Sequence, residues 1–565
     1  MNTRLIPSRS YPDNIVNHLQ TLARERPADT ALIVVSADGD KLVDKQFDYA
    51  SLDRYVRAVA AVLQDRFGQG ERVLLLMEND EHYVIGFLAC LYAGMIAVPV
   101  FPPESIREQH LARLLAIAAD AKAQCILTTS GILPLISCAS IAQLAGATML
   151  AVDTIMQDDT QSKASAWHAR MPEQDEIAFL QYTSGSTATP KGVMVSHHNL
   201  MINARAFEEG MSIAADDIFV SWLPLYHDMG LIGGVLQPLH RGIPAILMTP
   251  QFFIERPVRW LEVISRYRAT VSGAPNFAFQ LCVERVRSSQ LQGLDLSSWR
   301  VAFSGAEPVR RDTMHAFVER FSAVGFPAGT IYPCYGLAEA TLFVTGSVRG
   351  EGMKAQAFSA EKLAQGQAEV VAQGIPIVAC GFPASNHAVR IIDPEKRIPL
   401  ADGCVGEIWS DGASLAKGYW QRPQETAETF VEHEGTRWLR TGDLGFIHAR
   451  QLYIMGRLKD LIIIRGQNIY PQDIELIIEE EVEAVRKSRV AAFAVEQLDG
   501  EGIGVAVEVS RNMQKLVPAE VLVTALSEAV SANCHESLSV VVLLNPGALP
   551  KTSSGKLQRA ACRQG

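Results

Sequence analysis

Apolar and polar residues in the first part of the chain follow two alternating periods. Leu52, Val56, Val59, Ala60 and Leu63 fall on one helical face, which predicts a helix that ends before Gly68. The run from Glu71 to Met77 then predicts a buried strand, and similar strand patterns recur at 123–129, 243–250 and 269–276. Helix and strand patterns that alternate in this way are typical of an α/β sheet protein.

The segment from Val84 to Phe101 contains 18 residues without a charge, long enough to be considered a membrane span. Gly94 and Pro99 interrupt it, however, and neither flank supplies a basic anchor. We therefore predict a buried helix to about Ala93 followed by a buried strand, and no membrane span.

The pattern changes past residue 456. A short charged segment, GRLKD at 456–460, precedes the apolar run LIIIRG and an acidic helix that begins near Pro471. The remaining residues are typical of a small α+β domain. We predict two domains, 1–456 and 457–565.

Composition narrows the class of protein. A length of 565 residues with 48% hydrophobic residues is enough for two or more buried cores. The net charge of -11, without any Lys/Arg block, argues against a nucleic-acid partner. The 9 cysteines contain no C-x-x-C pair and the first residues contain no apolar segment, so we expect reduced thiols, no signal peptide and a cytoplasmic location.

The segment Tyr182–Gly192, YTSGSTATPKG, is the first candidate for chemistry. It follows the apolar run Ile177–Leu180, so a strand leads into a loop of hydroxyls, small residues and one lysine. Small residues allow backbone N–H groups to approach phosphate oxygens, and Lys191 would offset their charge. Pro190 precedes the lysine, so the loop is not a Walker loop. A solvated turn would have a similar composition.

This loop resembles the phosphate loop of the acyl-adenylate-forming superfamily, which includes acyl-CoA synthetases, luciferases and peptide-synthetase adenylation domains. Six further segments resemble that family's motifs and occur in the family's order: SWLPLYHDMGLIGG (221–234), SGAEPV (304–309), YGLAEAT (335–341), RTGDLGF (440–446), GRLKDLI (456–462) and LPKTSSGKLQR (549–559). The resemblance covers essentially the whole chain. It implies an α/β multidomain fold with a large N-terminal domain of distorted sheets and helices and a small C-terminal α+β lid domain.

The resemblance also implies ATP and Mg²⁺ as cofactors and a set of nucleotide-binding residues. These are Thr183, Ser184, Gly185, Ser186, Thr187, Lys191, Ser304, Gly305, Ala306, Glu307, Tyr335, Gly336, Leu337, Ala338, Asp443 and Arg457. Tyr335 offers a flat face for the adenine, whereas Asp443 and Arg457 would contact the ribose. Taken alone, an Asp in a Thr-Gly-Asp turn more commonly bonds its own backbone.

Three residues have implied catalytic roles. By resemblance, Glu339 ligates magnesium and Lys556 is the catalytic lysine that bridges the substrate carboxylate and the α-phosphate. His227 would form a wall of the pocket and have a catalytic role. In isolation, Glu339 would also fit a surface charge and Lys556 a solvated basic tail.

The acid that this chain would activate is predicted from its apolar segments. Amino-acid-activating members usually hold an aspartate after the histidine motif, whereas GLIGGVLQPL at 230–239 and GAPNFAFQL at 273–281 are apolar. Such walls favour an alkyl chain. We therefore expect a fatty acid as the substrate.

Two departures from the acyl-CoA synthetase pattern indicate a branch of the family. Ala188 replaces a usual glycine of the phosphate loop, and an insertion at about 347–376 separates YGLAEAT from GFPAS. The insertion resembles that of fatty acyl-AMP ligases, which pass the acyl group to the phosphopantetheine thiol of an acyl carrier protein, often for polyketide or nonribosomal peptide synthesis. We expect that carrier in trans. An ordinary surface loop would explain the insertion as well.

The junction of the two predicted domains also bears on whether the chain is a fatty acyl-AMP ligase or an acyl-CoA ligase. Lys459 matches the position about which the family's small domain turns, and Ile463 stands where some thioester-forming relatives carry a lysine. The alternatives are a fatty acyl-CoA ligase and a catalytically silent binding homologue. A silent homologue would be expected to have lost Lys556, Glu339 or Lys191, and all three are present.

Overall fold

The computed structural model of the chain describes residues 13–39, 41–102, 108–138, 146–183, 190–464, 467–497, 500–534, 536–551 and 557–564. Within these ranges, no helix has both the length and the apolar character needed to cross a bilayer.

A nine-stranded sheet lies at the centre of the large domain. From edge to edge its strands are Phe382–Pro383, Phe343–Gly346, Ile331–Gly336, Val301–Ser304, Val271–Gly273, Phe219–Ser221, Ala245–Leu247, Thr30–Asp38 and Lys41–Asp48. The six inner strands, from Ile331–Gly336 to Thr30–Asp38, pair in parallel, and the outer ones pair antiparallel. Because parallel strands end at the same edge, the motifs that follow Ser221, Ser304 and Gly336 all begin there.

A six-stranded sheet carries the predicted phosphate loop. Its order is Thr148–Ala151, Cys125–Thr128, Arg72–Leu76, Ile96–Val100, Ile177–Tyr182 and Gly192–Ser196. Only the last pair is antiparallel, with Tyr182 opposite Gly192. The loop therefore connects two neighbouring strands, and both of its ends are fixed by ladder hydrogen bonds.

Helices cover the sheets on both faces, as the alternating sequence pattern predicts. The α-helices span Ile15–Glu25, Tyr49–Arg66, Glu81–Ala93, Glu108–Ala121, Leu133–Cys138, Val152–Gln157, Thr160–Ser165, His197–Gly210, Gln237–Arg241, Pro250–Glu255, Val258–Tyr267, Asn276–Arg285, Arg311–Phe321, Ala360–Ala364, Pro423–Thr429, Pro471–Glu481, Arg511–Leu516, Ala519–Cys534 and Arg559–Gln564. Single 3₁₀ turns occur at Ser288–Gln290, Ser322–Val324, Ala328–Thr330, Ala338–Ala340 and Leu458–Asp460.

The uncharged run at 84–101 forms the predicted helix and strand. The helix Glu81–Ala93 is capped by the Asp80 carboxylate and ends at Gly94, whose φ of 74° suits a residue without a side chain. The strand Ile96–Val100 is buried throughout, as the prediction requires.

A third, antiparallel sheet connects the nine-stranded sheet to the end of the large domain. Four of its strands follow the order His387–Ile392, Gly406–Gly412, Thr436–His448 and Phe430–His433. The fifth, Gln451–Arg457, lies off this path and pairs with Thr436–His448.

The insertion forms a small antiparallel pair, Ala355–Phe358 with Ile375–Val378, and the helix Ala360–Ala364 lies between its strands in the sequence. Phe358 is fully buried, and its ring lies 4.9 Å from Phe446 and 5.4 Å from Tyr453, both in edge-on contact. Tyr470, which follows the predicted domain boundary, belongs to the same hydrophobic cluster. The insertion thus packs onto the third sheet and contacts the beginning of the C-terminal region.

The C-terminal region has a hydrophobic core of its own. Two strands, Ile462–Ile464 and Gln467–Ile469, precede a three-stranded sheet of Val485–Gln497, Gly500–Val509 and Leu538–Leu544. The buried residues of this core run from Ile462 to Val530 and form a cluster separate from that of the large sheets.

Replacing Phe358 by alanine tests how firmly the insertion is attached. The Phe358→Ala change should cost about 3–5 kcal/mol, because it leaves a cavity beneath two aromatic rings. Thermal unfolding of the whole protein and proteolysis within 347–376 would measure this loss. Val370→Ala, at a side chain 42% exposed in the same insertion, should change neither readout; equal effects of the two changes would contradict tight packing.

Candidate active site

The predicted phosphate loop is described only at its two ends. Residues 184–187 and Lys556 lie outside the described residues. The N–H of Thr183 donates to the carbonyl of Lys191 at 3.2 Å, and Nη2 of Arg113 donates to the carbonyl of Thr183 at 2.9 Å. The loop is therefore closed at its base, with two cations beside it.

A carboxylate, a phenol and an ammonium converge near this base. Glu339 lies in the 3₁₀ turn that follows the strand Ile331–Gly336, and its Oε1 accepts a hydrogen bond from the Tyr419 hydroxyl at 2.8 Å. Nζ of Lys191 lies 5.1 Å from the centroid of the Tyr419 ring, within the range of a cation–π contact. The structure thus brings Glu339 and Lys191 together through a residue that sequence reasoning missed. No short motif could reveal Tyr419, since it lies 80 residues after Glu339.

The surroundings of Glu339 fit a divalent cation. Burial raises the pKa of the Glu339 carboxyl above its usual value, and the nearby Asp228 raises it further, while the Tyr419 hydrogen bond opposes the shift. A buried carboxylate with an acidic neighbour is stabilised in its ionised form when a divalent cation binds. Carboxylate oxygens are also ligands that Mg²⁺ prefers.

Asp443 connects three of the predicted nucleotide residues. Its Oδ2 accepts a hydrogen bond from the Tyr335 hydroxyl at 2.7 Å, and its Oδ1 lies 3.4 Å from Nε of Arg457. Burial and the Asp443 charge raise the pKa of Tyr335 far above its usual value, which keeps the phenol protonated as a donor.

Asp443 lies inside the strand Thr436–His448 and pairs with Arg457 on the neighbouring strand, so it does not stand in an isolated Thr-Gly-Asp turn. Its N–H donates to Oγ1 of Thr441 at 3.1 Å. The sheet ladder, rather than a local turn, therefore fixes the carboxylate.

Close backbone packing shapes the turn that contains Gly336, Leu337 and Ala338. A Cβ on Gly336 would lie 1.8 Å from the carbonyl oxygen of Leu342, so only glycine fits. The N–H of Leu337 donates to that same carbonyl at 3.0 Å, and Ala338 is buried. This folding back holds the Glu339 turn in place.

The segment Ser304–Glu307 begins at the end of the strand Val301–Ser304, which pairs with the strand Ile331–Gly336. Ser304 is fully buried, and a Cβ on Gly305 would meet the Cys334 carbonyl at 3.0 Å. Ala306 has a φ of 67°, an uncommon value for a residue with a side chain, and such values cluster at functional sites. Glu307 accepts the N–H of Phe277 at 2.7 Å, which joins the predicted adenine segment to the apolar segment 273–281.

His227 lies immediately before the N-cap residue of an unusual helix, Asp228. Its Nδ1 lies 2.6 Å from Oδ1 of Asp228 and accepts the N–H of Met229 at 3.3 Å. The following residues, Met229–Leu236, form a π-helix, a conformation found frequently at functional sites. A Cβ on Gly230 would lie 2.1 Å from the Pro224 carbonyl, so this glycine permits the tight approach.

The predicted hinge residue Lys459 lies near Arg457 and Lys191, and Lys551 lies at the base of the C-terminal loop. Burial and the nearby cations Arg457 and Lys191 lower the pKa of Lys459. Lys551 forms an antiparallel bridge with Leu557, which closes the segment that contains Lys556, and its Nζ donates to the Ser488 carbonyl at 2.9 Å.

Gly336→Ala tests the close approach in the Glu339 turn. Forcing a Cβ against the Leu342 carbonyl should cost about 1–3 kcal/mol of folding free energy and weaken ATP binding by about tenfold, a free-energy loss of about 1.4 kcal/mol. Thermal unfolding and calorimetric titration with ATP would measure both effects. Gly131→Ala is the matched control, since a Cβ there would meet nothing within 4 Å. Wild-type ATP affinity in Gly336→Ala would refute this account.

Comparison with known proteins places this site in a family. Residues 19–420 match the AMP-binding enzyme family. The chain is 41% identical over 538 residues to the medium-chain-fatty-acid–[acyl-carrier-protein] ligase JamA of Moorena producens, covering 93% of this chain and 90% of that protein. It is 36% identical to the long-chain-fatty-acid–AMP ligase FadD26 of Mycobacterium marinum, and the match covers 99% of this chain and 97% of that protein.

A solved structure has the same fold. The fatty acyl-adenylate ligase from L. pneumophila, in complex with acyl adenylate and pyrophosphate, superposes with a TM-score of 0.76 at 38% identity, covering 98% of this chain and 96% of that chain. The predicted fold class is thereby confirmed. The chain belongs to the AMP-binding, acyl-adenylate-forming enzymes, among the fatty-acid-activating ligases of that family.

Proposed function

We propose that this enzyme activates a fatty acid with ATP to fatty acyl-AMP and then transfers the acyl group to the phosphopantetheine thiol of an acyl carrier protein. The observation that carries the first step is the convergence of Glu339, Tyr419 and Lys191 beside the closed phosphate loop. The choice of acid and acceptor is supported by the relatives JamA, a medium-chain-fatty-acid–[acyl-carrier-protein] ligase, and FadD26, a long-chain-fatty-acid–AMP ligase.

In the first step, a carboxylate oxygen of the fatty acid attacks the α-phosphorus of ATP. A bond from that oxygen to phosphorus forms, and the bond from phosphorus to the pyrophosphate oxygen breaks. Lys191 and the loop 184–187 bind the departing phosphates, while Asp443 and Arg457 hold the ribose. Lys556 reaches the α-phosphate and the carboxylate, where negative charge gathers in the transition state.

Magnesium would be held by Glu339, whose buried carboxylate fits it, and would supply charge neutralisation of the triphosphate. His227 lies two residues before the π-helix Met229–Leu236 and is assigned to the wall of the acyl pocket, with a catalytic role.

The alkyl chain lies against the apolar segments 230–239 and 273–281. Both follow strands of the nine-stranded sheet that end at the edge where the nucleotide residues lie. Trp222 stacks on Phe253 with ring centroids 4.1 Å apart and meets Phe277 edge-on at 6.1 Å, so this wall is rigid and aromatic.

In the second step, the carrier thiol attacks the acyl carbonyl, AMP leaves, and the thiol proton is released.

We place the boundary between the two domains at 456/457, with Lys459 as the pivot between the two steps. We also place the protein in the cytoplasm. A carrier protein is favoured over free CoA by the insertion, which packs its Phe358 onto the third sheet and contacts Tyr470. Ile463 is 50% exposed and offers no cation to a CoA phosphate.

The proposal is tested by measuring pyrophosphate release with saturated fatty acids of graded chain length. We expect release that depends on both ATP and fatty acid, as the site geometry requires. Acyl-AMP supplied afterwards with either CoA or a phosphopantetheinylated carrier protein separates the two acceptors, and we expect thioester on the carrier. Absence of release at every chain length would favour a silent binding homologue, and efficient acyl-CoA formation would favour a CoA ligase.

Lys556→Ala should lower the rate of adenylation by at least about 100-fold, because a fixed cation is removed from the transition state. Acid-dependent pyrophosphate release would measure this, and thermal unfolding would verify the fold. Lys396→Ala, at a side chain 72% exposed, is the matched control and should behave as wild type. Unchanged adenylation in Lys556→Ala would refute the assigned role.

A further inference from the structure

Arg310 has a backbone that is fixed to the large domain. It follows the predicted adenine segment 304–309, and its N–H donates to Oδ1 of Asn276 at 2.9 Å. Asn276 is buried at the start of the helix Asn276–Arg285, whose next N–H, that of Phe277, donates to Glu307. The main chain around Arg310 is therefore held rigidly beside the adenine segment.

The Arg310 side chain crosses to the C-terminal region. Its Nη1 donates to Oε2 of Glu479 at 2.9 Å, on the helix Pro471–Glu481. The Glu479 side chain is only 3% exposed, whereas that of Arg310 is 33% exposed. Burial raises the pKa of the Glu479 carboxyl, and the Arg310 charge lowers it. The same two effects act on the pKa of the nearby Asp473 carboxyl. A buried carboxylate that loses its cation is strongly disfavoured, so this contact holds the two domains together.

Hydrogen bonds connect the Arg310–Glu479 ion pair to Lys551, at the base of the loop that contains Lys556. Oε1 of Glu479 accepts the N–H of Ser488 at 2.7 Å, and the carbonyl of Ser488 accepts Nζ of Lys551 at 2.9 Å. Lys551 is the last described residue before 552–556. Burial lowers the pKa of Lys551, and the negative charge of Glu307, which belongs to the large domain, partly opposes that shift. A chain of hydrogen bonds thus runs from Arg310 through Glu479 and Ser488 to Lys551.

We propose that Arg310 is a positioning residue for the adenylation step, which orients the C-terminal domain through Glu479 and Ser488 and thereby fixes Lys551, the residue from which the segment containing Lys556 continues. Arg310 acts through Glu479, Ser488 and Lys551. The inference rests on the proposed function. Because acyl transfer requires the small domain to turn away about Lys459, this step does not need the Arg310–Glu479 contact.

The two half-reactions test this role separately. Arg310→Ala should lower the rate of acid-dependent pyrophosphate release by at least about tenfold, by analogy with other truncated buried charge pairs. It should leave transfer from purified acyl-AMP to a phosphopantetheinylated carrier protein within about twofold of wild type, a free-energy difference below about 0.5 kcal/mol. The KM values for ATP and fatty acid should stay near those of wild type. Arg311→Ala is the matched control, since Arg311 is exposed and pairs with the exposed Asp312.

A second variant, at the other residue of the ion pair, tests the same role if Arg310→Ala does not fold. Glu479→Gln retains an oxygen for the Ser488 N–H but removes the charge, so it should give the same selective loss. The double variant should adenylate no more slowly than the slower single variant, because both changes break one contact. Hydrogen exchange of the segments 304–310 and 471–490 should rise in each variant, which measures the domain contact without relying on activity.

The outcomes separate the two proposals. Wild-type protein that releases no pyrophosphate would refute the proposed function. Active wild-type protein with a normal adenylation rate in Arg310→Ala and Glu479→Gln would refute the positioning role, as would an equal loss in both half-reactions or unchanged hydrogen exchange.

Discussion

The arrangement of the candidate site depends on the Asp443 carboxylate. It accepts a hydrogen bond from Tyr335, which ends an inner strand of the nine-stranded sheet, and lies against Arg457, the last residue before the predicted hinge region. Asp443 itself is fixed by the ladder of the third sheet. Without this carboxylate, the Tyr335 hydroxyl and Arg457 would lose the acceptor that they share, and the three elements would lose their common contact. Residues from separate sequence motifs therefore form one continuous surface.

Most elements of the fold could be predicted from the sequence because local patterns determine them. The helix Glu81–Ala93 and the strand Ile96–Val100 follow from a charge-free run interrupted at Gly94, and the helix Pro471–Glu481 begins at the predicted proline. A Thr-Gly-Asp sequence commonly forms a turn when it stands alone, whereas Asp443 lies in a strand. Pairing with Gln451–Arg457 extends the strand through it, and a short window cannot reveal that partner.

The site could be predicted only where a family motif marks it. Glu339, Lys191 and Arg457 lie in motifs, whereas Tyr419 and Arg310 lie outside the residues that these motifs single out. Tyr419 contacts Glu339 across 80 residues, and Arg310 contacts Glu479 across 169. Such contacts arise from the packing of whole sheets and domains, so periodicity and spacing along the chain contain no record of them. The functional roles of the motif residues stay predictions until the proposed measurements are made.

The position of Arg457 determines which contacts the nucleotide would keep during catalysis. Arg457 is the final residue of a strand paired with Thr436–His448, so the sheet ladder ties it to the large domain although the proposed boundary at 456/457 assigns it to the small one, and the 3₁₀ turn Leu458–Asp460 begins only after it. A rotation about Lys459 would carry away the lid but leave Tyr335, Asp443 and Arg457 in place. The adenylate would then stay bound to one rigid surface while the group facing its reactive phosphate is exchanged, and the two half-reactions could proceed in order without release of the intermediate.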